Sequence, residues 1–301
     1  MSTNDNFDLI KIKKGLNIPL KGEAEKVIIK SQLSHAYAIK PIDFFDITPF
    51  SIVDINTKVK AGSCLFVDKK NPSIKFTSPV SGTVIEINRG EKRRILEIII
   101  EPDEEIEYEN FVNENPDNLT REEIINNLLN SGLWPTLRQR PFDIIANPND
   151  IPKAIFISAY DTSPLAPDYD FILSNYLNEF QTGINALKKL TNGKIHLSIN
   201  GEVPVLSFYK KLNNIEIHRI KGKHPSGNIG IQIHHIDPIN KGDIVWHINP
   251  QHVVQIGNLF IKGIYDATKI IALTGSEVLK PIYYKIISGA SVKELISNNI
   301  R

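Results

Sequence analysis

The pattern of apolar residues changes near residue 102, from one typical of β-strands to one typical of alternating strands and helices. Over the first hundred residues, short runs rich in Ile and Val alternate with Gly, Pro and Lys, and residues 83–88 have the period of two expected of a strand with one exposed face. No stretch of ten or more residues in this segment has helical periodicity. A charged turn at residues 102–105 ends the segment. The sequence therefore predicts an all-β domain over residues 1–102.

The second segment carries signals for both helices and strands. Thr120 and Glu123 form a capping box, apolar residues follow on one helical face, and Gly132 supplies a left-handed stop. A strand at 153–157, a long helical pattern that ends near Gly193 and a strand at 195–199 predict a βαβ unit with two parallel strands. Because further strands are expected at 215–220 and 229–233, the sequence predicts an α/β domain over residues 103–255.

The last part of the chain predicts a small third module. Residues 268–273 and 281–288 have the composition of strands, and a second capping box at Ser291 and Glu294 predicts a helix that runs to Arg301. Residues 256–301 are therefore predicted to begin a module that has too few residues to close a core of its own.

Composition excludes several kinds of chemistry. The one cysteine, Cys64, rules out a disulfide within the chain and any zinc or iron–sulfur site built from its own thiolates. The formal net charge is only +1, so no general attraction to nucleic acid is expected. The first six residues are polar and do not predict a signal peptide, and no apolar run approaches the roughly 20 residues of a membrane span. Membrane contact is therefore expected only through a partner.

The histidines do not form a metal-binding pattern. Six of them lie between His218 and His252, but no pair has the spacing of zinc ligands on a helix. His234 and His235 are neighbours in a predicted strand, so they would point to opposite faces. The sequence accordingly predicts no metal site.

No motif of a self-sufficient catalyst is present either. The glycines of residues 222–230 match no phosphate-binding loop, since a strand and not a helix is predicted to follow them. Residues 158–164 directly follow a strand and are either a ligand loop or a polar turn. Residues 131–142, which combine Trp134 and Phe142 with two arginines, are either an interface anchor or a loop held by a buried Trp. The sequence predicts no catalytic residue.

Several motifs taken together resemble a known family. Gly62, Val-Asp-Lys at 67–69 and Phe-Thr-Ser-Pro-Val-Ser-Gly-Thr-Val at 76–84 resemble the barrel-sandwich module of biotinyl and lipoyl carriers. They are followed by Ser-Gly-Leu-Trp at 131–134, Arg-Gln-Arg-Pro-Phe at 138–142, Lys-His-Pro-Ser-Gly at 223–227 and Val-Trp-His-Ile-Asn-Pro-Gln at 245–251. In this order and spacing they are similar to the NqrA family, a component of the Na+-translocating NADH:quinone oxidoreductases, over nearly the whole chain.

The resemblance implies a fold and the loss of a cofactor. It implies a barrel-sandwich hybrid domain, a Rossmann-like α/β domain and the start of a β-grasp module of the SLBB type, distantly similar to RnfC and to the flavoprotein subunit of complex I. In those relatives a glycine-rich loop holds FMN and NADH, whereas bulky side chains occupy residues 133–138 here. Lys75 also does not stand at a tight turn as a modified carrier lysine does. The resemblance thus implies no redox cofactor in this chain.

The function implied is that of a peripheral subunit, held by its partners at the cytoplasmic face of the bacterial inner membrane. Its complex would hold flavins, an iron–sulfur centre and quinone, and would couple NADH oxidation and quinone reduction to Na+ export. The expected partners are the other subunits and, for a shared quinone site, ubiquinone or menaquinone. The candidate quinone or interface residues are Trp134, Arg138, Arg140, Phe142, Lys223 and His224. Two alternatives stay open: an independent flavin- or NADH-binding oxidoreductase of the RnfC type, and a carrier domain modified on a lysine.

Overall fold

The computed structural model describes residues 7–301, and the polar segment 1–6 lies outside the described residues. The described chain forms four β-sheets and seven α-helices. Within this part of the chain, no helix is both long enough and apolar enough to cross a membrane.

Residues 7–102 contain nine strands. They are β1 (Asp8–Ile12), β2 (Glu25–Lys30), β3 (Tyr37–Ile39), β4 (Pro49–Ser51), β5 (Lys58–Val59), β6 (Cys64–Asp68), β7 (Asn71–Thr77), β8 (Gly82–Arg89) and β9 (Ile95–Pro102). Strands β3–β9–β8–β5 form one antiparallel sheet and β4–β6–β7 another. The core of this domain includes Phe66 and Phe76, whose rings stack with centroids 4.5 Å apart.

Strands β1 and β2 do not belong to this barrel-sandwich domain. β1 pairs in parallel with a strand of the α/β domain, and β2 pairs in parallel with a strand of the C-terminal module. The segment predicted as an all-β domain over residues 1–102 therefore also supplies one strand to each of the two other modules. Local composition marks these segments as strands but does not encode a partner about two hundred residues away.

The α/β domain follows. It consists of α1 (Arg121–Ser131), β10 (Arg138–Arg140), β11 (Ile144–Ile145), β12 (Ala154–Ser158), α2 (Tyr169–Leu173), α3 (Leu177–Lys188), β13 (Lys194–Asn200), α4 (Ser207–Lys210), β14 (Glu216–Gly222), α5 (Ile229–Ile236), β15 (Val245–Ile248) and α6 (Pro250–Lys262). Its sheet has the order β1–β14–β13–β12–β15–β10–β11, in which only β10 and β11 run antiparallel to their neighbours. The predicted capping box at Thr120 and the parallel pair of the βαβ unit are confirmed.

Two helical assignments in this domain differ from the prediction. The long helix after β12 is two helices, α2 and α3, separated at residues 174–176. Residues 229–233 form the start of helix α5 and not a strand. The alternation of Ile with Gly and Gln suggests a period of two, but Ile229, Ile233 and Ile236 also have helical spacing and pack together against β12.

Helices α3 and α6 pack closely because glycines face backbone at their contact. A Cβ on Gly257 would overlap the carbonyl oxygen of Glu179, and a Cβ on Gly183 would overlap that of Val253. Asn249 caps α6 and Gly263 ends it in the left-handed conformation. The predicted domain edge at residue 255 therefore falls inside a single helix of the α/β domain.

The C-terminal module consists of β16 (Thr268–Leu273), β17 (Ile282–Ile287) and α7 (Val292–Ile296). Its sheet has the order β16–β17–β2, so the N-terminal segment supplies the third strand. Helix α7 ends at Ile296 and does not continue to Arg301 as predicted. Ser291 caps it, but the carboxylate of Glu294 accepts hydrogen bonds from Ser34 and from the amide of His35 instead of completing the capping box.

Candidate functional site

The order of strands defines a place for a ligand. β13 and β14 lie on one side of β12, whereas β15 returns to its other side, so the direction of the sheet reverses between β12 and β15. In open α/β sheets, ligands bind in the crevice outside the carboxyl ends of the strands at such a switch point. A cleft of about 600 Å³ lies there, lined by Ser158 and Tyr160 after β12 and by Asn249 after β15.

All three modules contribute walls to this cleft. The barrel-sandwich domain supplies Ile39, Phe44 and Pro79, and the C-terminal module supplies Ser288 and Gly289. The α/β domain adds residues on both sides of the switch point. The cleft is therefore a property of the assembled chain and not of one domain, and its walls combine apolar rings with a few polar groups.

One side of the cleft carries polar groups that lack partners. The ammonium group of Lys269, on β16, has no hydrogen bond or ion pair within residues 7–301, and burial lowers its pKa. Nδ1 of His252 is buried without a partner among the same residues, and burial, then the charge of Lys269, lowers the pKa of His252 well below its usual range. Burial raises the pKa of Tyr265 to about 12. At neutral pH this side offers a cation, a neutral imidazole and a neutral phenol.

On the opposite side of the cleft, charged side chains of opposite sign pair with one another. Nε2 of His247 lies 2.9 Å from Oδ1 of Asp143, and Nε of Arg138 lies 3.4 Å from the same oxygen. Arg140 approaches it at 3.7 Å. Burial opposes ionisation of Asp143, but the hydrogen bond from His247 and the two guanidiniums outweigh it and hold the pKa of this carboxyl below its usual range. Arg138 and His247 line the cleft, so a guanidinium faces it beside an imidazole whose pKa is lowered, first of all by burial.

Trp134 does not stand where a quinone or a partner could reach it. Its side chain is 0% exposed, its Nε1 donates a hydrogen bond of 2.7 Å to the carbonyl of Ala146, and its ring packs edge-on against Trp246. Of the two alternatives for residues 131–142, the loop held by a buried Trp is therefore the observed one. The prediction of Trp134 as a contact residue is wrong, because its one polar atom is satisfied inside the core.

The other five candidates fall into three places. Arg138 and Arg140 lie on β10 beside Asp143, and only Arg138 lines the cleft. Phe142 is 79% exposed and does not line the cleft. Lys223 and His224 lie in the loop after β14, where Nδ1 of His224 is 3.2 Å from Oγ1 of Thr162. The structure does not bring the six candidates into one site.

The loop at residues 132–137 uses its backbone amides internally. The amides of Gly132, Leu133, Thr136 and Leu137 all donate to carbonyls between residues 128 and 134. These donors are therefore not directed towards a phosphate, in agreement with the bulky side chains that the sequence places there.

The two loops that follow β12 and β14 pack against each other. The amide of Gly227 donates to Oγ1 of Thr162, and a Cβ on Gly227 would overlap the backbone of residues 161–162. Tyr160 and Asp161 line the cleft, which favours the ligand-loop alternative for residues 158–164.

Three residues that line the cleft were not predicted from the sequence: Phe44, His252 and Lys269. The one signal for Lys269 is a charged residue beside the apolar run of a predicted strand.

Comparison with protein families assigns the three parts of the chain. Residues 10–103 match the NqrA N-terminal barrel-sandwich hybrid domain, residues 119–265 the NqrA second alpha/beta domain, and residues 270–301 the NqrA C-terminal domain, an SLBB domain. A protein with these domains in this order is a multidomain α/β protein with a barrel-sandwich hybrid at its start, as the sequence predicted. The chain belongs to the NqrA family.

Curated relatives agree with this assignment. The chain is 40% identical over 294 residues to a Na(+)-translocating NADH-quinone reductase subunit of Neisseria meningitidis serogroup A, covering 97% of this chain and 65% of that protein. It is 37% identical over 295 residues to the equivalent subunit of Yersinia pestis bv. Antiqua, covering 97% and 66%. The chain thus spans about two thirds of the length of these relatives, between 65% and 66%.

Part of the chain is similar to solved structures, among them a hydrogenase. The crystal structure of an NAD+-reducing nickel–iron hydrogenase in the air-oxidized state matches with a TM-score of 0.37 and 14% identity, covering 48% of this chain and 32% of that one. At this TM-score the match carries no argument. The distant similarity to RnfC and to the complex I flavoprotein subunit stays a prediction.

Proposed function

We propose that this chain is a peripheral subunit of a Na+-translocating NADH-quinone reductase, at the cytoplasmic face of the membrane, and that the cleft between its modules binds quinone. The relatives are each named as a subunit of such a reductase. Coupling to Na+ export would then be a property of the whole complex. The chain itself would contribute a scaffold and a quinone pocket, without a redox cofactor of its own.

The observation that carries the quinone proposal is the unpaired donor set beside apolar walls. A quinone is a flat ring with two carbonyl oxygens that only accept hydrogen bonds. The rings of Phe44 and Tyr160 give the apolar surface such a ring needs, while Lys269 and Arg138 are cationic donors that line the same cleft. An acceptor bound near Lys269 would satisfy an ammonium group that has no partner among residues 7–301.

A binding titration tests this proposal. The purified chain is titrated with a short-chain ubiquinone, and quenching of the fluorescence of Trp134 and Trp246 reports binding. We expect Lys269→Met to weaken binding at least about tenfold, the loss of one charge-assisted hydrogen bond. Lys262→Met, at an exposed site in the last turn of α6, is the control and should bind as the wild type does. Equal binding by both variants, or none by the wild type, would contradict the proposal.

Docking on other subunits is supported by the surface of the barrel-sandwich domain. Five large apolar side chains between residues 42 and 55 are each more than half exposed, which is typical of surfaces that meet a partner. They are Ile42, Phe45, Phe50, Ile52 and Ile55.

Co-purification tests the docking surface separately from the pocket. A tagged chain produced with the other subunits should bring down flavin-containing membrane partners. We expect the double variant Phe45→Ser/Phe50→Ser to lose these partners and to keep quinone binding, because both rings are exposed and neither lines the cleft. A variant that retains its partners shows that docking uses another face.

One observation favours the alternative of an independent flavin- or NADH-binding oxidoreductase. The cleft lies at the switch point, where open α/β sheets bind nucleotide cofactors. Flavin absorbance in the purified chain, or NADH binding by it, would support this alternative. A colourless chain that does not bind NADH would contradict it.

The carrier alternative predicts a mass increment on a lysine. Lys75 stands within β7 and donates to Asn130 at 2.8 Å, away from any turn.

A further inference from the structure

Three side chains with metal-binding atoms meet on one face of the α/β sheet. His196 of β13 is the register partner of Glu216 of β14, and His218 lies two residues further along β14, so all three point to the same side. Nδ1 of His196 is 3.0 Å from Nε2 of His218 and 3.7 Å from Oε2 of Glu216. All three ligand atoms lie within 4.8 Å of one another.

The surroundings hold these three side chains close to one another. The side chain of His196 is 4% exposed, and its ring is stacked on Phe156 with centroids 4.8 Å apart. The two carboxylate oxygens of Glu216 have different partners. Oε1 lies 2.6 Å from Nζ of Lys194, and Oε2 faces the imidazoles. The cluster is therefore open to solvent mainly on the side of Glu216, whose side chain is 44% exposed.

The spacing fits a zinc ion. Zinc bound to imidazole nitrogen and carboxylate oxygen at about 2.0–2.2 Å in tetrahedral geometry holds its ligand atoms about 3.3 Å apart. The two distances from His196, 3.0 and 3.7 Å, lie on either side of this value. The third pair, His218 and Glu216, lies within 4.8 Å, so side-chain rotation would be needed to seat an ion.

We infer that His196, Glu216 and His218 form a binding site for a borderline divalent cation of the Zn2+ class. Two imidazoles with one carboxylate favour Zn2+ over Mg2+ or Ca2+, which take mainly oxygen ligands. Water or Asp8 would complete the coordination, since Asp8 of β1 is the register partner of His218. The sequence predicted no metal site because His196 lies outside the histidine-rich stretch and reaches His218 only through strand pairing.

The competing explanation is a simple hydrogen bond, in which the two rings share one proton. Nε2 of His196 has no partner among the described residues in either case, so it does not distinguish the two.

This site is separate from the proposed quinone pocket. His196 and Glu216 lie near the amino ends of β13 and β14, whereas the cleft lies outside the carboxyl ends of β12 and β15. A bound ion would tie β13 to β14, and through Asp8 to β1. The role that follows is structural or regulatory, and it does not depend on the proposed function.

Metal titration of the whole chain tests the inference. Chain freed of metal by a chelator is titrated with Zn2+ by calorimetry and with Co2+ by visible absorbance. We expect about one ion per chain, with the strong visible bands of four-coordinate Co2+. Glu216→Gln and His218→Gln should each lower the Zn2+ affinity at least about tenfold. Zn2+ should raise the melting temperature of the wild type and not that of Glu216→Gln.

The matched control is Glu202→Gln. Glu202 also pairs with a lysine, Lys221, at 2.8 Å, and its side chain is 43% exposed, but it does not face two histidines. This variant should bind Zn2+ as the wild type does. The inference is overturned if the wild type takes up no stoichiometric Zn2+, or if Glu216→Gln and His218→Gln bind it unchanged, which would assign uptake to surface histidines. Glu216→Gln changes an exposed group, so its apo melting temperature shows that the fold is retained.

Discussion

At the scale of single residues, Lys269 is the most informative side chain. It is a cation that lines the cleft, lacks a partner among residues 7–301 and has a pKa lowered by burial. A fold gains nothing from such a group, since a charge removed from water without compensation destabilises the native state. The quinone that we propose for the cleft would supply the acceptor that this group lacks.

Lys269→Met is expected to stabilise the chain while it weakens the binding of quinone. Removal of an uncompensated charge should raise the free energy of unfolding by roughly 1–3 kcal/mol near pH 7. Because the folded pKa lies below the unfolded value of 10.5, the wild type recovers stability as pH rises through the interval between the two. The advantage of the variant should therefore shrink as pH approaches 10.5. Urea unfolding at several pH values measures the difference in stability between the wild type and Lys269→Met, with Lys262→Met as control. An unchanged urea midpoint in Lys269→Met would show that the charge of Lys269 does not destabilise the fold.

Trp134 and Phe142 are expected to behave in opposite ways, although the sequence suggests one role for both. Trp134→Phe removes the hydrogen bond to Ala146 from a fully buried site and should lower the free energy of unfolding by roughly 1–3 kcal/mol. Phe142→Ala, at a side chain that is 79% exposed, should change it by less than about 0.5 kcal/mol. Denaturant unfolding of the two variants measures both. If Trp134→Phe has the same free energy of unfolding as the wild type, the placement of Trp134 in the core is contradicted.

The candidate site could be predicted only in part from the sequence, and the reason is visible at this scale. The loop at residues 158–164 is a candidate because it follows a strand, and Tyr160 does line the cleft. Phe44, His252 and Lys269 could not be found in the same way, because they come from three different modules that only the tertiary structure brings together. The prediction for Trp134 is wrong since composition does not tell a buried Trp from an exposed one.

At the scale of elements, the contact between α3 and α6 depends on the absence of side chains. Gly183 and Gly257 each face a carbonyl oxygen of the opposite helix, and each lies within a helix, where glycine is unfavourable by itself. Close packing of the two helices outweighs this loss of helix propensity. The sequence does not predict this role, because a helical pattern alone does not reveal what faces a given position.

Gly257→Ala is expected to destabilise the chain, and Gly230→Ala is its matched control. The added methyl group at residue 257 would overlap the carbonyl of Glu179 and should lower the free energy of unfolding by roughly 1–3 kcal/mol. Gly230 is also helical, in α5, but nothing lies within 4 Å of its Cβ position. The same change there should raise stability by up to about 1 kcal/mol. Urea unfolding measures the change in the free energy of unfolding for each variant. A change of the same sign in both variants would contradict the close approach of α3 and α6.

Elements with signals at their ends can be predicted well, and elements defined by their neighbours cannot. The capping box at Thr120 and Glu123 determines the start of α1, and the apolar runs locate β12 and β13. Helix α5 resembles a strand in sequence because isoleucines at 229, 231 and 233 have a period of two, although those at 229, 233 and 236 have helical spacing. Strand β15 lies between β12 and β10 in the centre of the sheet, a position that its four residues do not indicate by themselves.

At the scale of the whole molecule, residues 8–30 join the three modules. β1 forms the edge of the seven-stranded sheet beside β14, and β2 completes the C-terminal sheet beside β17. The family resemblance predicts the order of the domains correctly. It does not predict the joining strands, because parallel pairing over a long sequence separation leaves no local signal.

Removal of residues 1–30 is expected to weaken two sheets and to leave the barrel-sandwich domain intact. Without β1 and β2, strands β14 and β17 become free edges, which are prone to fraying and association. Amide hydrogen exchange should accelerate in β14 and β17. Strand β8, whose partners are β5 and β9, is the internal control and should keep its protection. Unchanged exchange in β14 and β17 would show that the joining strands do not support these sheets.

The position of β1 also has a consequence for synthesis on the ribosome. Its register partners in β14 are residues 218–222, so this early strand must wait for about two hundred further residues. At a synthesis rate of about 5–20 residues per second, this delay is roughly 10–40 s. Strands β3 to β9 between them pair only with one another within their two sheets and can form these sheets in that interval. A late docking step would then follow, in which both N-terminal strands insert beside sheets that have already formed.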